Sequence, residues 1–134
     1  MSMIRFFRSA PAMVRPTFAL AVLAGLCSCT PPSRPPPEEG VIDVDIRNIA
    51  FIPKEVTIKV GERVRWTNLE SLPILHTSTS GAPGAEDGIW DSGLLSPGES
   101  FTTEPFPEVG EFVYFCVTHR MRPSMVNAKV IVEP

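Results

Sequence analysis

The segment Glu111-Phe112-Val113-Tyr114-Phe115-Cys116-Val117-Thr118-His119 sets the architecture of this chain. Side chains alternate across a strand, so Phe112, Tyr114 and Cys116 share one face while Val113, Phe115 and Val117 share the other. Both faces are apolar, which predicts a central strand with Cys116 pointing inward near its end. From there the chain can pass into a loop that carries His119.

Working outward, the same period of two recurs. Ile42, Val44 and Ile46 alternate with Asp43, Asp45 and Arg47, and Val56, Ile58 and Val60 alternate with Thr57, Lys59 and Gly61. Val64 and Trp66 continue after a Gly61-Glu62 turn, and Ser96-Pro97-Gly98 marks another boundary. Phe101 opens a strand that Pro105 and Pro107 must end or push to an edge. Residues 126–132 supply the last strand. No stretch after residue 40 has helical periodicity. Short strands with regular turn signals predict an all-β antiparallel sandwich of about seven or eight strands.

Cys116 is the one cysteine beyond residue 29, and His76 and His119 are the only histidines in 134 residues. Free cysteine often packs as a small hydrophobe. Here, however, the Cys-x-x-His spacing lets a tight turn bring sulfur and imidazole to one ion, and His76 arrives from a distant loop. One thiolate, two imidazoles and a thioether from Met121 or Met125 form a ligand set that favours copper cycling between Cu(I) and Cu(II). In an oxidising compartment a lone thiol also needs an occupant, and a metal is the natural one.

Five stretches in order resemble the cupredoxins, the small blue-copper proteins, and within them the plastocyanin/amicyanin-like branch. They are Phe51-Ile52-Pro53-Lys54-Glu55-Val56-Thr57-Ile58, Val64-Arg65-Trp66-Thr67-Asn68, His76-Thr77-Ser78-Thr79-Ser80-Gly81, Asp91-Ser92-Gly93-Leu94-Leu95-Ser96-Pro97-Gly98-Glu99-Ser100-Phe101, and Tyr114-Phe115-Cys116-Val117-Thr118-His119. The resemblance runs from about Val41 to Glu133. It implies a Greek-key sandwich and a single copper ion, with Cys116 as thiolate ligand, His76 and His119 as equatorial imidazoles, and a weak axial methionine. Met125 suits that position better than Met121, because Pro123-Ser124-Met125-Val126 leads straight into the last strand. Neither methionine has the family's usual spacing from the second histidine. The resemblance further makes the Thr77 backbone N–H a candidate support for the Cys116 sulfur, where the family often has asparagine. Asn68 is a candidate brace for the loop. Trp66 and Phe106 read as core rather than as electron relays. The exposed edge of the second histidine is the family's usual electron gate, and here Arg120 and Arg122 form a basic collar that could dock an acidic partner or simply be solvated.

Residues 1–29 read as an export signal. Arg5, Arg8 and Arg15 precede an apolar run of nine residues from Phe18 to Leu26, whereas spanning a bilayer needs about 20. The run ends in Leu26-Cys27-Ser28-Cys29, which resembles a bacterial lipobox with Cys29 as the lipidated residue; an ordinary cleavage site is the alternative. Thr30 to Gly40 holds five prolines and reads as a semi-rigid spacer between anchor and domain, with a disordered junction as the alternative. Without the signal, nine basic residues face fifteen acidic ones, a net −6. That balance excludes a nucleic-acid binder, which carries basic patches.

These readings converge on a monomeric, exported, membrane-tethered copper protein that carries single electrons between redox proteins. Copper delivery or storage is the competing function, and it would favour a more exposed site with more methionines or histidines. An enzyme reading fails on ligands, since catalytic copper needs further histidines and both are already used.

Overall fold

A computed structural model describes residues 30–134 of the chain; the expected signal, with Cys27 and Cys29, lies outside them. The described residues form two facing sheets with no α-helix. One sheet has the order β2–β1–β4–β7, built from Phe51–Ile52, Val41–Ile46, Arg63–Asn68 and Ser100–Thr102. The other has the order β3–β9–β8–β5–β6, built from Glu55–Lys59, Ala128–Glu133, Gly110–Phe115, Thr79–Ala82 and Ala85–Asp91.

The all-β sandwich is as expected, with two corrections. Among the described residues nine strands are present rather than about seven or eight, and the sheets are mixed rather than purely antiparallel. β1 runs parallel to β4, and β3 runs parallel to β9. Hydrophobic alternation specifies which face a strand buries but carries no direction, so the parallel pairs were invisible in the pattern. The strand holding Tyr114 is central to its sheet, between β9 and β5. β7 is an edge strand, as Pro105 and Pro107 require. The last strand opens at Ala128 rather than Val126, because Asn127 takes a left-handed conformation with φ +52°.

The core lies between the sheets. Val44, Ile46, Val64 and Trp66 face Val56, Ile58, Trp90, Tyr114, Cys116, Val130 and Val132. Trp66 stacks on Trp90 and meets Tyr114 edge-on, and Phe106 packs on Trp90. Trp66 and Phe106 are therefore core residues.

Proline-rich residues 30–40 do not extend away as a spacer. They lie against the outer face of β1 and β4. Arg34 donates to Asp45, the Pro36 carbonyl accepts from Arg65, and Glu38 pairs with Arg63. This cover explains why Asp45 and Arg65, on the polar face of their strands, are each only 7% exposed.

Candidate metal centre

At the end of the sandwich where β1 and β4 finish, four loops meet. β4 ends in Asn68, whose side-chain amide donates to the carbonyls of Ile74 and Leu95, both at 2.8 Å. Those two bonds tie the loop before His76 to the loop before β7, so the brace expected of Asn68 is present. His76 and Leu95 then exchange backbone hydrogen bonds. His76 is fully buried, and its Nε2 faces a Glu70 oxygen at 3.2 Å. That same oxygen accepts the Ile49 N–H at 2.7 Å. The carboxylate engages Nε2 and leaves Nδ1 pointing toward the sulfur; an outer carboxylate of this kind fixes ring orientation.

Cys116 follows β8 on the inward face, as its parity requires. Its backbone N–H donates to the Met125 carbonyl at 2.8 Å, which ties the end of the strand to the start of the final connection. Two single turns of 3₁₀-helix, Val117–His119 and Pro123–Met125, bracket the intervening loop. The first returns the His119 N–H to the Cys116 carbonyl. This closed turn is what Cys-x-x-His spacing permits.

Three donors converge here. Cys116 Sγ lies 3.8 Å from His76 Nδ1 and 3.6 Å from His119 Nδ1, and all three donor atoms fall within 4.8 Å of one another. Bonds of about 2.3 Å to a thiolate and about 2.0 Å to an imidazole, at trigonal angles, would separate sulfur from nitrogen by about 3.7 Å. The side chains thus stand at the spacing one metal ion requires, and the soft-sulfur, two-imidazole set matches copper.

The sulfur is prepared for that role. The Thr77 N–H donates to it at 3.3 Å, the bond expected of that residue. The Thr118 hydroxyl lies 3.1 Å away. Burial alone would push the thiol up; hydrogen bonds from His76, Thr118, the Thr77 amide and His119 outweigh it and bring it down to about 6. A thiolate is the metal-binding form.

The two methionines separate sharply. Met125 is fully buried beside the site, whereas Met121 is 89% exposed. Arg120 and Arg122 are exposed on either side of it. Two contributors escaped the sequence reading. Glu70 is a loop carboxylate with no motif around it. Thr118 is the spacer in Cys-x-x-His, yet its hydroxyl reaches the Leu75 carbonyl at 3.0 Å and joins the two loops. The signal that could have marked Glu70 is its place six residues before a histidine in a loop otherwise lacking acids.

Comparisons with known proteins place the chain among copper-binding proteins. The profile of a family described as copper binding proteins, plastocyanin/azurin family, matches residues 38–133. A chloroplastic plastocyanin from Tetradesmus obliquus is 36% identical over 98 residues, covering 69% of this chain and 64% of that protein. An amicyanin from Paracoccus denitrificans is 31% identical over 117 residues, covering 87% of this chain and 84% of that one. Among solved structures, a purple cupredoxin from Nitrosopumilus maritimus superimposes with a TM-score of 0.57 at 25% identity, covering 68% of this chain and 98% of that one.

Proposed function

The chain belongs to the plastocyanin/azurin family of copper-binding proteins, and on that premise we propose that it is an exported one-electron carrier with a blue-copper centre. Cys116, His76 and His119 would hold the ion, together with the Met125 thioether. Copper, when bound, supplies a couple between Cu(I) and Cu(II). The residues supply rigidity: His76 is held by Glu70 and Leu95, and Cys116 by Thr77 and Met125. Ligands that stay in place as the charge changes keep reorganisation small, which is what fast electron transfer needs.

The observation that carries this reading is the convergence of one sulfur and two Nδ1 atoms at metal-ligand spacing. Full burial of His76 and Cys116 favours retention of the ion over its delivery. A multicopper oxidase or copper nitrite reductase would need further histidines for its catalytic copper, and the sequence has none. His119 is the half-exposed ligand, and exposed Leu72, Leu75, Leu94, Val117 and Met121 lie on the surrounding loops. It is the natural port for electrons to and from protein partners. Export follows the N-terminal signal, with lipid attachment at Cys29, and the domain acts as a monomer.

Adding Cu(II) to the purified protein should give an intense thiolate-to-copper colour and reversible one-electron voltammetry. Cys116→Ser should remove the colour and weaken binding by more than the 10- to 100-fold that outer hydrogen-bond partners typically contribute. Unchanged colour in Cys116→Ser overturns the assignment, and a colourless or bleaching wild-type complex points to copper delivery.

A further inference from the structure

Residues 30–40 settle which end of the domain the N-terminus leaves from. Reading backward from Gly40, the segment climbs the outer face of the β1/β4 pair. The Gly40 carbonyl takes the Arg63 N–H at 2.8 Å, and Glu38 pairs with Arg63 at the start of β4. Next, the Pro36 carbonyl meets Arg65, itself locked to Asp43 through two hydrogen bonds. Arg34 then donates twice to Asp45, one residue before β1 ends, while Arg47 takes the other oxygen of the same carboxylate. Finally Pro32 reaches Gly98: a Cβ built on Gly98 would sit 3.9 Å from Pro32 Cβ. The Gly98 N–H is bonded to the carbonyl of Asn68, the residue that braces the His76 loop. The segment is a strap, and it ends at the metal pole.

Position of exit decides orientation. Cys29 is three residues before Pro32, a reach of at most about 11 Å when extended. A free spacer of eleven residues would reach about 40 Å and leave the domain free to present any side. With the strap docked, the pole carrying His119 lies next to whatever holds Cys29. A soluble redox protein of 100 residues has a radius of gyration of about 13 Å, too large to fit between that pole and a bilayer. We propose that the strap turns the metal pole toward the membrane, and that the surface formed by Leu72, Leu75, Leu94, Arg120, Met121 and Arg122 receives an integral membrane redox protein whose electron-exchanging site lies at the bilayer surface. This rests on the lipid anchor at Cys29 and on the carrier function.

The test uses the full lipidated, copper-loaded chain on vesicles containing a headgroup-labelled quencher lipid. A fluorophore is placed at Met121→Cys on the metal pole, or at Val60→Cys near the opposite end. Quenching at position 121 should exceed that at position 60 several-fold. The difference should vanish when a long Gly-Ser insert separates residues 29 and 30, or when Arg34→Ser and Glu38→Ser release the strap. Equal quenching in the unaltered tether, or stronger quenching at position 60, overturns the orientation. On vesicles the lipidated protein should also exchange electrons with a water-soluble redox protein at least about tenfold more slowly than unlipidated Cys29→Ser, because access governs the association rate. Equal rates overturn the integral partner.

Two controls separate the premises. Amide relaxation in the Cys29→Ser chain should give order parameters near 0.85 for Ser33, Arg34, Glu38 and Glu39, and values below about 0.6 overturn the strap itself. If Cys29→Ser binds vesicles as well as the unaltered chain, the anchor fails and the proposal with it. Loss of the blue colour with the quenching pattern intact removes the carrier and leaves the orientation standing.

Discussion

The two histidine arms of the site are built differently. His76 sits in the interior with both ring nitrogens engaged and its backbone paired to Leu95 in both directions. Its partner Glu70 is in turn fastened to Ile49, which occupies a left-handed conformation at φ +53° that a β-branched residue adopts only under constraint. His119 instead rides on a single 3₁₀ turn, half-exposed, between exposed Thr118 and Arg120. One arm is a wall of the sandwich, and the other is a loop closed over it. In the proposed carrier the wall would define where the ion sits, and the loop would let electrons in and out.

The sulfur between the arms offers the largest expected effect. Its hydrogen bonds come from both sides, from His76 and Thr77 on the wall and from Thr118 and His119 on the loop. In the metal-free protein the thiolate absorbance should titrate near pH 6, against an ordinary value of 9.0. The sign follows from the folded value being depressed: the contribution to stability is complete above about pH 9 and is lost as pH falls through about 6. The interval corresponds to at most about 4 kcal/mol. Denaturant melts of Cys116→Ser against wild type across that range would isolate it. A thiol that titrates above pH 8 in the folded protein contradicts the picture of a prepared anion.

Truncating each histidine sharpens the contrast. His76→Ala should destabilise the metal-free fold by about 2–4 kcal/mol, through a cavity and a buried Glu70 carboxylate left with the Ile49 N–H as its one donor. His119→Gly should stay within about 1 kcal/mol, because a half-exposed loop side chain leaves little void. Added imidazole should restore colour to His119→Gly, where the gap opens to solvent, and fail in His76→Ala. Equal losses of stability would erase the distinction.

Glu70 probes the wall alone. Both of its hydrogen bonds converge on one oxygen, so Glu70→Gln keeps an acceptor for Ile49 N–H and His76 Nε2–H. Glu70→Ala strands both donors in the interior and should cost about 1–3 kcal/mol and about 10- to 100-fold in metal affinity. Calorimetric melts and copper titrations of the two variants should differ clearly. If Gln and Ala behave alike, the negative charge rather than the hydrogen bonding matters.

How much of this was legible follows the same division. Strands with one face in the core declared themselves by alternation, as in Ile42-Val44-Ile46 and Val56-Ile58. The β5–β6 hairpin did not. From Thr79 to Asp91 it offers small and acidic residues with Trp90 as its one large buried anchor, and its pairing is imposed by β8 alongside. Gly81 there is obligatory: at φ +96° a Cβ would lie 2.5 Å from the Ala85 carbonyl oxygen. Phe51–Ile52 is too short to show a period. Where residues 30–40 lie was not legible, because proline content reports stiffness and not the place of the stiff segment; its docking depends on Arg34 and Glu38 meeting charges, and on the Pro36 carbonyl meeting Arg65, brought near only by folding. At the site, His76, Cys116 and His119 stood out because their residue types are scarce. Glu70 did not, since one carboxylate among fifteen acidic residues carries no mark.

The smallest effect belongs to the rim of the loop arm. Arg120 and Arg122 are exposed, and Arg122 joins His119 and Met125 only through its backbone, which a side-chain change leaves in place, so Arg120→Glu with Arg122→Glu should leave colour and stability unchanged. It should instead alter encounter with an acidic partner. Electrostatic steering changes association by about tenfold or more at low salt, and the Debye length of about 8 Å at physiological ionic strength removes most of it. In stopped-flow electron transfer with an acidic soluble redox protein, the rate should therefore fall at low salt and converge with wild type as salt rises. Reversal of Lys59, at the far end of β3, serves as the control and should change little. If reversing Lys59 matters as much as reversing the arginine pair, electrons do not enter beside His119, and the loop arm loses its role as the port.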